Sequence, residues 1–110
     1  MTEVIIKKCR DKYILTMSGH AGYNPGNDIV CSALSVIEYM LSEWVVLHPE
    51  AAVIERCVEE PGYAELVIKV VTRDFNIAAE MAETGFKALF KAYPENVKFF
   101  CKNYPYVGGN

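Results

Sequence analysis

Tyr13-Ile14-Leu15-Thr16-Met17, then Gly19-His20-Ala21-Gly22-Tyr23-Asn24-Pro25-Gly26-Asn27-Asp28, then Ile29-Val30-Cys31 at the head of an apolar pattern: this succession reads as strand, glycine-rich loop and helix. From Ile29 onward Val30, Leu34, Ile37, Leu41 and Trp44 recur at three- and four-residue intervals, which predicts a helix to about Leu47, ended by His48-Pro49. Cys31 falls off that stripe, in its first turn. It aligns with Ser35, Glu38 and Ser42 along the flank of the core face, where a side chain is packed from one side and still meets a ligand. The loop thus delivers a histidine at one end and a cysteine at the other. Because a helix N-terminus carries a partial positive charge and free N–H groups, it favours an anion at the position of the sulfur.

Outward from this block, residues 2–9 and 12–18 are β-rich and separated by Arg10-Asp11, an opening hairpin. Residues 52–59 and 63–71 flank Pro61-Gly62 as a second hairpin. Asp74 is placed to cap a second helix, 75 to about 93, with small residues at Ala78, Ala82, Gly85 and Ala92 for close packing and Pro94 as its stop. A last strand over 97–101 precedes a loose tail. The order strand-strand-helix-strand-strand-helix-strand predicts an α+β fold: a single two-layer domain over residues 1–110, with a mixed, largely antiparallel sheet and both helices on one side. Val36, Tyr39 and Val46 lie off the first helix's main stripe, and a homodimer contact is one way to bury them.

Composition narrows the function classes. With 52% hydrophobic and 23% charged residues and a net charge of −3, the chain reads as a globular protein without a basic field for nucleic acid. The N-terminal residues lack a secretory signal and no uninterrupted apolar stretch reaches membrane-spanning length, so no membrane association and a cytoplasmic location are expected. Cys9, Cys31, Cys57 and Cys101 form no C-x-x-C pair, so they are read as reduced thiols. Cys57 and Cys101 lie in apolar strand runs and are expected to be buried and structural. Cys31 and His20 alone leave a tetrahedral metal site half empty, so no metal and no cofactor are expected.

A cysteine hydrolase needs a thiolate, an imidazole to pair with it and to protonate the leaving amine, and donors for the tetrahedral oxyanion. Cys31 supplies the sulfur, His20 the imidazole, and backbone N–H groups at the helix start are candidate oxyanion donors. Asp28 has two possible jobs: as N-cap it accepts the Cys31 N–H, or it orients His20. The cap is favoured. Ser35, one turn beyond Cys31, is placed to hydrogen-bond at the site or contact substrate. His48 reads as a helix C-terminal residue rather than a catalytic one.

The block Gly19-His20-Ala21-Gly22-Tyr23, a short loop, then Asp28-Ile29-Val30-Cys31-Ser32-Ala33 and Ser35 resembles the signature of the bacterial ribosomal-processing cysteine proteases, the Prp family. The resemblance implies a homodimeric cysteine endopeptidase acting on the N-terminal extension of large-subunit ribosomal protein twenty-seven, cut after a pair of phenylalanines. It matches Cys31 to the nucleophile, His20 to the catalytic histidine, and Asp28 and Ser35 to supporting positions. It also implies that the loop containing Gly22, Tyr23, Pro25 and Gly26 gates substrate, although Asn24-Pro25-Gly26-Asn27 departs from the family's pattern and looks compact. Two other readings of the same residues stand beside it: a non-catalytic ribosome-associated binding or assembly factor, and a redox-sensing thiol at Cys31.

Overall fold

The fold was analysed in a computed structural model, which describes residues 1–104. Its elements follow the expected order: β1 (Thr2–Cys9), β2 (Lys12–Ser18), α1 (Ile29–Leu47), β3 (Ala52–Glu60), β4 (Tyr63–Val70), α2 (Phe75–Ala92) and β5 (Val97–Tyr104). The strands form one sheet in the order β3-β4-β2-β1-β5, antiparallel except for the parallel pair β1–β5. β5 runs three residues beyond the expected strand, because Lys102, Asn103 and Tyr104 continue the ladder against Lys7, Lys8 and Cys9 despite their polarity. The tail expected after it lies, from residue 105, outside the described residues.

Period-two alternation on the central strands turns Val4, Ile6, Tyr13, Leu15, Met17, Leu66 and Ile68 to one face, where α1 and α2 cover them. Phe75 and Phe86 of α2 are fully buried there. Gly85 lets the helices approach: a Cβ in its place would lie 2.9 Å from Ile37 Cδ1 of α1. Asp74 precedes α2 but makes no side-chain cap, contrary to expectation. It is itself in the αR region, and a backbone turn starts the helix through Phe75 N–H to Thr72 O and Asn76 N–H to Arg73 O.

The buried row of α1 is Val30, Leu34, Glu38, Leu41 and Val45. Ile37 and Trp44, expected on the stripe, are only half-buried, and Glu38, expected on the flank, is 2% exposed. By length and composition α1 is apolar enough to cross a membrane, but its buried row packs on the sheet and on α2. His48 ends the helix as expected, its Nδ1 2.8 Å from Trp44 O and its ring stacked on the Trp44 indole.

The edge strand β3 carries a β-bulge: the register with β4 shifts between Ile54 and Arg56, leaving Glu55 without a partner in the ladder. Directly opposed residues share a face, so Cys57 and Glu59, opposite Leu66 and Ala64, turn toward α1 in place of Arg56 and Val58. Cys57 and Cys101 are both exposed, correcting the expectation of burial. Each lies on an edge strand, where side chains are covered from fewer directions than in the centre of the sheet. Cys9, on a central strand, is buried.

Candidate active site

The end of β2, the β3–β4 turn and the first two turns of α1 meet around an open cleft of about 420 Å³. Cys31, His20 and Ser35 all line it, so the structure brings together three of the four residues singled out from sequence. Their positions follow from backbone contacts. Gly19 N–H donates to Gly62 O at 2.8 Å, joining the end of β2 to the β3–β4 turn. Gly19 itself must be glycine: at φ +92 a Cβ would lie 2.3 Å from Met1 O. The next residue, His20, then lays its ring on Gly62, whose missing Cβ would sit 3.0 Å from Nε2. The Met1 amino group donates to His20 O, holding the histidine backbone from the other side.

Cys31 is half-buried in the first turn of α1, and its Sγ accepts the Ala21 N–H at 3.3 Å. That bond strengthens when the acceptor carries charge. Asp28 resolves the choice left open by sequence: it is the N-cap. Its Oδ1 accepts from Val30 N (2.9 Å) and Cys31 N (3.0 Å), and its Oδ2 from Tyr23 N (2.9 Å) and Asn24 N (3.3 Å). Desolvation pushes its carboxyl upward, yet the four backbone donors from Cys31, Asn24, Tyr23 and Val30 outweigh it and hold the group below its ordinary value. One consequence corrects the sequence reading. Of the backbone N–H groups near Cys31 expected to offer oxyanion donors, those of Val30 and Cys31 are already committed to the Asp28 cap.

The loop holding Gly22, Tyr23, Pro25 and Gly26 is exposed and compact, with Asn27 N–H closing onto Asn24 O and Tyr23 set edge-on against Tyr93 at 5.3 Å. None of its four expected gating residues lines the cleft, so in this conformation the loop stands beside the opening rather than over it.

Sequence reasoning did not single out three further cleft residues: Gly62, the floor of the histidine, and the carboxylates Glu38 and Glu59. Burial pushes the Glu38 carboxyl up to about 7, aided by repulsion from Glu59 and by a hydrogen bond to it. Glu38 Oε2 is buried and finds no hydrogen-bond partner among the described residues. The available signal was its spacing, since Cys31, Ser35 and Glu38 fall on one row of α1.

Residues 1–98 match the family of the cysteine protease Prp. The chain belongs to that family. It is therefore a cysteine protease, and the resemblance read from the loop motif extends over nearly the whole fold. Its fold is similar to that of the ribosomal processing protease Prp from S. aureus bound to a covalently linked product peptide, with a TM-score of 0.77 and 21% identity over 93% of this chain and 100% of that one. The same S. aureus protease with a substrate peptide gives a TM-score of 0.68 at 21% identity, covering 93% of this chain and 100% of that chain. SMU.848 from Streptococcus mutans gives 0.70 at 20% identity, covering 94% and 96%. No curated protein matches the sequence.

Proposed function

We propose that this Prp-family protease is a cytoplasmic processing endopeptidase in which Cys31 is the nucleophile and His20 its base and acid. Its substrate is the N-terminal extension of large-subunit ribosomal protein twenty-seven, cut after an apolar pair in an extended segment. The observation that carries the reading is the cleft itself. A half-buried thiol in a helix's first turn, its sulfur already accepting the Ala21 N–H, shares that opening with an imidazole resting on Gly62.

In the reaction, the Cys31 thiolate attacks the scissile carbonyl carbon, forming the C–S bond while the carbonyl π electrons move to oxygen. Collapse of this intermediate expels the amine, which takes its proton from the His20 imidazolium and leaves a thioester on sulfur. His20 then removes a proton from water as it attacks the thioester, and returns it to the departing sulfur or shares it in the ion pair. Ser35, one turn from Cys31 and lining the cleft, is a side-chain donor placed to support the oxyanion. Asp28 acts through the backbone, fixing the helix start and the loop. The loop opens away from Asp28 to admit peptide.

The active form is a homodimer. Val36, Tyr39, Met40, Val46 and Leu47 leave an apolar surface on the outer side of α1, each about half exposed or more, and a second copy of the chain covers it.

Mass spectrometry of the extended ribosomal protein incubated with the enzyme tests the reading. Loss of the extension with intact protein, and an unchanged mass with Cys31→Ala or His20→Ala, is the expected result. Cleavage by either variant at the wild-type rate removes that residue from the mechanism. An unchanged substrate mass with folded, reduced wild-type protein overturns the substrate assignment.

A further inference from the structure

Behind Ser35, the cleft ends in a cluster that peptide hydrolysis does not use. Glu38, Cys57 and Glu59 each bring one potential ligand atom to within 4.8 Å of the others. They come from different places: Glu38 from the buried row of α1, Cys57 and Glu59 from β3, turned toward the helix by the bulge. Bulges commonly re-aim a side chain in this way.

An acidic cluster alone is no site, but here the central ligand is a carboxylate that is 2% exposed and whose Oε2 has no hydrogen-bond partner among the described residues. Burying such an oxygen is costly unless something compensates it. Among the described residues no lysine or arginine lines the cleft to do so, Arg56, next to Cys57 in sequence, is engaged with Glu65, and the hydrogen bond between Glu38 and Glu59 leaves Oε2 unpartnered. The geometry points to a binding site for a zinc-like divalent cation held by Glu38, Cys57 and Glu59, with its remaining coordination position open to the cleft.

The donor set chooses the metal class. A thiolate with two carboxylates suits a borderline-soft ion such as Zn²⁺ better than Mg²⁺ or Ca²⁺, which take oxygen ligands. With bonds of about 2.0 Å to oxygen and 2.3 Å to sulfur, tetrahedral ligand atoms stand roughly 3.3–3.5 Å apart. Starting within 4.8 Å of one another, the three atoms close in by up to about 1.5 Å, a motion left to the exposed Cys57 and Glu59 around the buried Glu38. On binding, the proton of the Cys57 thiol and any proton on Glu38 go to solvent, and the metal takes the vacated electron pairs. Because Glu38 and Glu59 also line the cleft of Cys31, an occupied site narrows the path of a peptide.

The experiment uses reduced, metal-free protein carrying Cys31→Ala, so that the cleft thiol contributes nothing and the outcome is independent of the proteolytic mechanism. Co²⁺ is added and its thiolate charge-transfer absorption followed, then Zn²⁺ is titrated in to displace it. One equivalent of Zn²⁺ is expected to bind, with the absorption lost in Cys57→Ser and the affinity lowered about 10- to 100-fold in Glu38→Gln. Glu59→Gln, at an exposed strand position, gives the same loss of affinity and stands in if Glu38→Gln fails to fold. Absence of thiolate absorption, its persistence in Cys57→Ser, or unchanged Zn²⁺ affinity in the folded glutamine variants overturns the site.

Discussion

Replacing Gly62 with alanine separates the position of the His20 imidazole, the proposed base, from the integrity of the fold. At φ +78 an L-residue costs about 1–2 kcal/mol of backbone strain, which for a chain of this size is a fall of roughly 4–15 °C in the thermal midpoint. The new methyl also lies 3.0 Å from His20 Nε2, 3.4 Å from Cε1 and 3.6 Å from Cδ2. Ordinary contact needs about 3.5–4.0 Å, so the ring must move by roughly 0.5–1 Å. The backbone of His20, held by the Met1 amino group and by the Gly19–Gly62 bond, cannot retreat with it. A misplacement of about 1 Å at a reacting group costs up to about 100-fold in rate, so kcat/KM falls about 10- to 100-fold. The assay is peptide cleavage at 25 °C, well below the lowered midpoint, beside thermal unfolding of the same protein. Wild-type kcat/KM in a protein destabilised by the expected amount refutes the argument that Gly62 sets the histidine. An unchanged midpoint refutes the strain.

Glu38→Gln tests the buried carboxyl in chelator-treated protein. Because its folded value is raised to about 7 from 4.5, the folded state keeps a proton that the unfolded chain has lost, and stability falls as pH rises through that window. The variant is therefore more stable than wild type at pH 8, by on the order of 2–3 kcal/mol, and gains little at pH 4; equal gains at both pH values in thermal unfolding contradict this. Asp28→Ala removes the acceptor of four N–H groups, so the midpoint drops and amide exchange at Tyr23, Asn24, Val30 and Cys31 accelerates. Since the Asp28 carboxyl is held low, the stability it contributes is present above its unfolded value and lost as pH falls through the folded one, and the variant lacks that acid-side component. For the proposed homodimer, Val46→Glu with Leu47→Glu, two of the most exposed apolar positions on α1, shifts the light-scattering mass from dimer to monomer; an unchanged dimer places the interface elsewhere, and a monomeric wild type refutes the dimer.

The parts of this fold written in local periodicity were legible. Ile29 to Leu47 announces itself by its apolar spacing, the two hairpins by their turns, and the loop by its glycines, so element order and the placing of Cys31 and His20 along one cleft followed. What was not legible depends on neighbours. Glu38 looked like a flank residue because spacing gives the angle of a side chain around a helix but not the reach of the strand beneath it. The bulge at Glu55 has no clear signature in Val53-Ile54-Glu55-Arg56-Cys57, and without it the facing of Cys57 is read wrongly. Asp74 has the right residue type for a cap but the wrong backbone conformation, which composition does not reveal. Gly62 read as a turn glycine, which it is; its second role as a floor exists only because Gly19 ties another strand to that turn.

The extra residue in β3 makes one wall of the cleft adjustable independently of the other. Cys31, His20 and Ser35 hang from β2 and α1, while the opposite wall is set by which β3 side chains face inward. Straightening the bulge, so that Glu55 takes a place in the ladder and the extra residue passes into the β3–β4 turn, exchanges that set at a stroke, swapping Cys57 and Glu59 for their neighbours Arg56 and Val58 while Cys31 stays where it is. A shift of register in an edge strand is thus a route by which relatives of this enzyme can acquire a different preference without rebuilding the machinery that cuts.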